Sequence, residues 1–153
     1  MLIIQIDQSR KIGEFSKDTR ISAVSASSSH LIIISAKLKR AILMECKRRK
    51  IGKKRVVFLL FSYSLAKLIM SLPVSKCLIQ IDREYPGHEF TITEKIYDFL
   101  KFFNSNLKNE INFVNLPDNC KAHTIAYGSL KPDKTINLTY SSAKQVLKDL
   151  KLD

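Results

Sequence analysis

LIIQID, at residues 2–7, is an apolar run that ends in a carboxylate. CLIQID, at residues 77–82, has the same form and ends in Asp82. Short apolar runs rich in isoleucine are typical of strands buried inside a sheet. Open α/β sheets bind their ligands at the carboxyl ends of their strands, so two such strands side by side would bring Asp7 and Asp82 together. Both residues are therefore candidate site residues of an α/β fold.

The residues that follow Asp7 predict an antiparallel meander. Residues 20–26 alternate apolar and polar side chains, and residues 30–35 contain three consecutive isoleucines, which is typical of strands. The polar segment 8–19 and the serine-rich segment 25–29 supply the turns between the strands. Three antiparallel strands thus form the first half of the predicted sheet.

The hydrophobic period changes at Ala36 from that of a strand to that of a helix. One face of the predicted helix carries Leu38, Ala41, Ile42, Glu45 and Arg49. Gly52 marks the expected end of this helix. Residues 53–72 predict a second helix, although residues 56–61 could equally begin a strand, so the pattern leaves this segment open.

The second half of the chain alternates strands with helices. Its elements are a strand at 75–82, a helix at 91–104 that starts with the capping pair Thr91 and Glu94, a strand at 110–116, a short helix at 122–127, a turn at 132–133 and a terminal helix that starts near 139–141. This order predicts one α/β domain over residues 1–153. Its mixed sheet would have five strands, three antiparallel and then two parallel, with helices on its faces.

The chain is strongly basic, with 26 Lys and Arg against 14 Asp and Glu and a formal charge of +12. Polyanions are the expected partners of such a surface, with nucleic acid ahead of an anionic membrane. The densest positive patch consists of Lys47, Arg48, Arg49, Lys50, Lys53, Lys54 and Arg55. We expect this basic run to bind phosphates, with an affinity that falls steeply with salt.

The cysteines and the amino terminus bear on the compartment. Cys46, Cys77 and Cys120 are odd in number and contain no C-x-x-C pair, so they predict reduced thiols rather than disulfides or a structural zinc site. The first residues lack the form of a signal peptide, which favours a cytoplasmic protein. Residues 56–74 carry one charge in 19 positions, but their serines and closing proline favour a buried helix over a membrane span.

Glu45 is the third informative acid, because it interrupts the apolar stripe of its helix. Carboxylates that converge with Asp7 and Asp82 repel one another, and a divalent cation is the usual way to relieve that repulsion. Hard oxygen ligands suit Mg²⁺ or Mn²⁺, which catalyse phosphodiester hydrolysis in paired sites. An ion pair of Glu45 with the neighbouring basic residues is the structural alternative.

The pattern of acids resembles the ribonuclease H-like superfamily of nucleases and Holliday-junction resolvases. The resemblance lies in an Asp in the first strand, a Glu in the first helix after a three-strand meander, and an Asp that ends the fourth strand. It implies a ribonuclease H-like sheet and a fourth metal ligand near the start of the last helical region. His123 occupies that place in this chain, with Asp118 as the alternative.

These features together predict a metal-dependent nuclease. Asp7, Glu45, Asp82 and His123 would hold Mg²⁺ or Mn²⁺, or move a proton in the hydrolysis of nucleic acid. A second hypothesis is a catalytically inactive nucleic-acid-binding protein of the same fold. A third is a membrane-associated protein that is anchored through residues 56–74.

Overall fold

The structure is a computed structural model that describes residues 2–73, 76–105 and 108–152. Its strands are β1 Leu2–Ser9, β2 Thr19–Val24, β3 Ser29–Ile34, β4 Lys76–Asp82, β5 Lys108–Val114 and β6 Lys134–Leu138. Its helices are α1 Ala36–Arg48, α2 Lys53–Ser71, α3 Glu89–Phe102, α4 Lys121–Ala126 and α5 Ala143–Asp149, and a 3₁₀ turn at Tyr140–Ser142 precedes α5.

All six strands form one mixed sheet in the order β5-β4-β1-β2-β3-β6. The pairs β1–β2 and β2–β3 are antiparallel, whereas β1–β4, β4–β5 and β3–β6 are parallel. Every strand except β2 therefore ends at the same side of the sheet, which we call the carboxyl edge. The predicted mixed α/β architecture, with an antiparallel meander followed by two parallel strands, is confirmed.

The sixth strand was not predicted, because KTINL at residues 134–138 is short and largely polar. Only Leu138 of this strand is buried, and Ile136 is half-buried against the core. Its position is set by Asp133, whose carboxylate accepts a hydrogen bond from the Ser29 backbone N–H at 2.9 Å. Pairing with β3 therefore depends on a contact between residues that are far apart in sequence.

The two faces of the sheet are covered differently. Ile4, Ile6 and Ile79 belong to the main core, together with the apolar side chains of α1, α2, α3 and α5. Helix α4 packs against the opposite face, where the Ser22 hydroxyl donates to the Ala122 carbonyl. Because side chains alternate along β1, Gln5 and Asp7 point to this second face. On the same second face, Asn112 of strand β5 is exposed.

Residues 53–71 form one continuous helix, which settles the alternative that the sequence left open. This helix is buried along most of its length, between the sheet and α3. Among residues 2–73, 76–105 and 108–152, no helix combines the length and apolar character needed to cross a membrane. The apolar stretch at 56–73 instead forms much of the protein core, and Val74 lies outside the described residues.

Helix α3 and strand β1 do not begin and end where the sequence predicted. Helix α3 begins at Glu89, with His88 as its N-cap residue, so the pair Thr91 and Glu94 does not start it. Strand β1 continues two residues beyond Asp7, which therefore lies inside the strand. The cysteines are free thiols, as predicted.

Candidate metal centre

Asp7 lies near the end of β1 with a side chain that is only 4% exposed. Its Oδ1 accepts a hydrogen bond from the Gln8 backbone N–H at 2.8 Å, and its Oδ2 lies 2.8 Å from His123 Nδ1. Burial raises the pKa of Asp7 and the nearby Asp82 raises it further, while the His123 hydrogen bond opposes the shift. Removal of water thus makes the ionised carboxylate dependent on its protein partners.

Asp82 is the last residue of β4 and lies beside Asp7. The parallel register pairs Ile6 with Ile81, so the next residues of both strands point to the same face of the sheet. Oδ1 of Asp82 accepts a hydrogen bond from the Leu116 backbone N–H at 2.8 Å. The segment after β5 therefore fixes one oxygen of Asp82 at the carboxyl edge.

Glu84 is the third acid of the site, two residues beyond the end of β4. One ligand oxygen from each of Asp7, Asp82 and Glu84 lies within 4.8 Å of the others. Burial, a hydrogen bond with Asp82 and the charges of Asp82 and Asp7 together raise the pKa of Glu84 to about 7. The cluster therefore carries more negative charge than its surroundings stabilise, and it favours a shared proton or a bound cation.

Lys11 offers limited charge compensation to these acids. Its Nζ donates to the backbone carbonyl of Glu84 at 3.3 Å rather than to the carboxylate, and its charge lowers the pKa of Glu84 only in part. Three carboxylates offer the hard oxygen ligands that Mg²⁺ and Mn²⁺ prefer. The donor set and its excess charge thus fit a divalent cation.

His123 lies on α4 and contacts Asp7 on the second face of the sheet, the face opposite to the main core. The ring of Tyr127 stacks on the imidazole with 4.2 Å between centroids. The carboxyl end of α4 is held by the Ser9 hydroxyl and by Arg20, whose Nε donates to the Ala126 carbonyl at 2.9 Å. The helix and the tyrosine together fix the plane of the His123 ring.

No protein-family model matches this chain, and no curated protein matches its sequence. Asp7, Asp82 and His123, three of the four predicted site residues, lie together at the carboxyl edge. Asp118, the alternative to His123, is exposed and does not belong to the described acidic cluster.

Glu45 does not join the cluster, and that part of the prediction is wrong. Its carboxylate accepts hydrogen bonds from the guanidinium groups of Arg48 and Arg49, the latter at 3.0 Å, and these bonds lower the pKa of Glu45 to about 2. The physical reason is its place on α1, which starts after β3 at the carboxyl edge. Nine residues from Ala36 at a rise of about 1.5 Å carry Glu45 roughly 14 Å along the helix.

Glu84 is the site residue that sequence reasoning missed. The signal was the spacing Asp82-x-Glu84 directly after a buried strand, because two carboxylates that flank one turn can point to the same edge. The position of the Glu84 carboxylate is decided by tertiary structure, because its hydrogen bond with Asp82 and its closeness to Asp7 depend on how the residues after β4 pack.

The basic run lies at the end of α1 and the start of α2, and its seven side chains are exposed. Lys47 and Arg48 lie in the last turn of α1, where they complement the helix dipole. Lys53, Lys54 and Arg55 lie in the first turn of α2, which contains no acidic residue. Cations are unfavourable at a helix amino terminus, so a bound anion would stabilise the first turn of α2.

Proposed function

We propose that this protein is a divalent-metal-dependent nuclease that hydrolyses phosphodiester bonds in nucleic acid. The observation that carries the proposal is the convergence of Asp7, Asp82 and Glu84 within 4.8 Å at the carboxyl edge. Adjacent parallel strands place ligand-binding groups at this edge in open α/β sheets. Buried acids with strongly shifted pKa values cluster at functional sites.

The topology supports membership in the ribonuclease H-like superfamily. The strand order β3-β2-β1-β4-β5 contains the meander and the two parallel strands that the resemblance implies, and β6 extends it beyond β3. Asp7 and Asp82 lie on the central pair of strands, and His123 lies on a helix after β5. Glu84 would take the part that the resemblance assigned to Glu45.

Mg²⁺ or Mn²⁺ would be held by Asp7, Asp82 and Glu84. When bound, the ion supplies Lewis-acid stabilisation of the negative charge that develops on the phosphate oxygens. A backbone N–H holds one oxygen of each of Asp7 and Asp82, which orients both carboxylates before the ion arrives. This arrangement reduces the ordering cost of binding.

His123 would move a proton during hydrolysis. An ionised Asp7 can only accept hydrogen bonds, so Nδ1 of His123 donates to it and Nε2 keeps its lone pair. Water attacks phosphorus and one P–O ester bond breaks, so the water loses a proton and the leaving oxygen gains one. Nε2 can carry that proton, because the lone pair of a neutral imidazole accepts a proton and the resulting N–H can donate it again.

The test is cleavage of duplex DNA, an RNA–DNA hybrid and branched DNA with Mg²⁺ or Mn²⁺. The wild-type chain should cleave at least one of these substrates, and Asp7→Asn should lose at least a hundredfold in rate. Asp98→Asn on α3 is the matched control, because it removes an exposed carboxylate outside the site. Equal cleavage by wild type and Asp7→Asn would refute the mechanism.

A second candidate function is a nucleic-acid-binding protein without turnover. His123 favours it, because a histidine in place of a fourth carboxylate makes the site less acidic. Salt-sensitive binding of the same substrates, with no cleavage in either metal, would identify this function.

A further inference from the structure

A second charged surface lies away from the acidic cluster, in a groove of about 750 Å³ between α1 and the segment that begins at Tyr140. Its walls carry Lys37, Arg40 and Arg48 from α1 and Lys144 from α5. Glu45 is the acid of this groove, and it is bonded to Arg48 and Arg49. The groove is therefore positive overall.

Three of these cations lack a carboxylate partner. Lys37, Arg40 and Lys144 form no salt bridge with any residue in the described ranges. Arg40 donates instead to the Phe15 carbonyl at 2.9 Å, which holds its guanidinium beside the groove. Clustered cations repel one another, so an anionic ligand would stabilise this surface.

The cations of α1 form a line on one side of the helix. Lys37, Arg40 and Arg48 are separated by three and eight residues, which places them on one helical face over roughly 16 Å at about 1.5 Å per residue. Lys144 faces them from the opposite wall. A linear polyanion matches such a line better than a compact anion does.

Exposed side chains with aromatic and thioether groups lie between these cations. Tyr140 is 55% exposed and Met44 is 72% exposed, although both line the groove. The Lys37 ammonium lies 4.8 Å from the centroid of the Tyr140 ring. A positive groove with an accessible aromatic ring is the combination that binds single-stranded nucleic acid, because the ring stacks on a base.

The groove starts at the same edge of the sheet as the acidic cluster. Lys37 follows β3 and Tyr140 follows β6, and both strands end at the carboxyl edge. Strand β3 lies two positions from β1 in the sheet, which is roughly 10 Å at a spacing of about 4.8 Å between strands. Strand β6 lies three positions from β1, which is roughly 14 Å. Helices α1 and α5 cover the face of the sheet opposite to the one that Asp7 faces, so a substrate strand would pass around the carboxyl edge to reach both places.

We propose that the groove between α1 and α5 binds a single-stranded segment of nucleic acid, with Tyr140 as a stacking platform and Lys37 and Lys144 as phosphate contacts. The inference rests on the proposed function only for the class of ligand, and it requires no metal. It assigns the unpaired end of a substrate to this groove. Substrates with a single-stranded flank would then bind more tightly than blunt duplexes of the same length.

The test is the binding of fluorescein-labelled dT15 in EDTA, measured by anisotropy between 50 and 200 mM salt. The double variant Lys37→Ala, Lys144→Ala should weaken binding at least tenfold. It should also flatten the slope of log affinity against log salt by about 1.4, because each lost single-strand phosphate contact contributes about 0.7. Lys76→Ala, Lys101→Ala is the matched control, since it removes the same charge from exposed positions outside the groove.

Tyr140 provides a second, charge-neutral test. Tyr140→Ala should weaken dT15 binding roughly fivefold to a hundredfold, whereas Tyr140→Phe keeps the ring and should bind within twofold of wild type. Equal weakening by the two double variants, or full binding by Tyr140→Ala, would overturn the proposal. Poly-glutamate that competes with dT15 at equal charge concentration would also overturn it, in favour of an acidic protein partner.

Thermal melts confirm that each variant is folded before binding is compared. Because EDTA removes metal, the result does not depend on catalysis. Binding of dT15 by a chain that cleaves no substrate would refute the proposed nuclease while supporting this groove. Cleavage by a chain whose groove variants bind dT15 as wild type does would refute the groove alone.

Discussion

His123 and Asp7 are 116 residues apart in the sequence, yet His123 Nδ1 lies 2.8 Å from Asp7 Oδ2. This hydrogen bond connects α4 to the central strand of the sheet on the face that α1, α2 and α3 do not cover. When Asp7 is ionised, Nδ1 donates in this bond and Nε2 keeps its lone pair. The acidic cluster and the histidine are thereby one structural unit rather than two neighbouring features.

His123→Ala should lower the rate of cleavage about a hundredfold or more while changing KM little. The physical reason is loss of a positioned proton carrier, which typically contributes 10²- to 10⁴-fold. Single-turnover kinetics at saturating substrate measure the effect. Tyr127→Phe, which keeps the stacked ring, is the control, and an unchanged cleavage rate in His123→Ala would contradict the proposed role.

Glu84→Gln should stabilise the metal-free protein at pH 8, by about 1–3 kcal/mol. The raised pKa of about 7 means that the ionised side chain is disfavoured in the folded state. The ionised Glu84 side chain lowers the free energy of unfolding. This loss is absent below the unfolded pKa near 4.5, grows as the pH rises, and is complete above pH 7. Urea unfolding at pH 4 and pH 8 should therefore show a gain only at pH 8.

The same substitution should weaken Mn²⁺ binding, because it replaces an anionic ligand with a neutral amide. Isothermal titration of both proteins at pH 8 measures this loss. Glu94→Gln on the exposed side of α3 is the control and should bind Mn²⁺ as wild type does. Tight Mn²⁺ binding by Glu84→Gln would remove Glu84 from the proposed ligand set.

Lys39 should give the folded protein a pH-dependent stability of its own. Its side chain is fully buried, and Nζ donates to the Glu14 carbonyl at 2.8 Å and to Thr19 Oγ1 at 2.9 Å. Burial lowers the pKa of Lys39 to about 8. The cost of the charged form is therefore complete below pH 8 and disappears as the pH rises toward 10.5.

The free energy of unfolding of wild type should accordingly rise by about 2 kcal/mol, relative to Lys39→Met, between pH 8 and pH 10.5. Urea denaturation at several pH values measures the difference. Lys37→Met on the same helix is exposed and should track wild type. Parallel curves for wild type and Lys39→Met would show that the buried ammonium is not strained.

Arg20→Met should loosen α4 and with it His123. Its Nε and Nη2 donate to the Ala126 and Ile125 carbonyls at 2.9 and 3.2 Å, so the variant leaves two helix-end acceptors with fewer donors. The expected loss of stability is about 1–2 kcal/mol. Hydrogen exchange should become faster in α4 and stay unchanged in α3, whereas equal protection in both proteins would rule out this anchor.

Most secondary structure could be predicted because it depends on local patterns. The apolar run at 2–7, the meander and the helical period after Ala36 are each visible within about ten residues. Helix α2 was ambiguous because it is apolar on most sides, and periodicity cannot distinguish a fully buried helix from a buried strand. Strand β6 was missed because its stability comes from pairing with β3.

The amino-acid sequence by itself determined the mixed α/β fold, the basic surface and the meeting of Asp7 with Asp82, because the carboxyl ends of neighbouring parallel strands lie at one edge of a sheet. Tertiary structure alone decided which third acid completes the cluster. Glu45 is carried away by the length of α1 and held by two arginines, whereas Glu84 is half-buried and forms a hydrogen bond with Asp82. Side chains converge through the packing of distant elements, and that packing has no signature in local sequence.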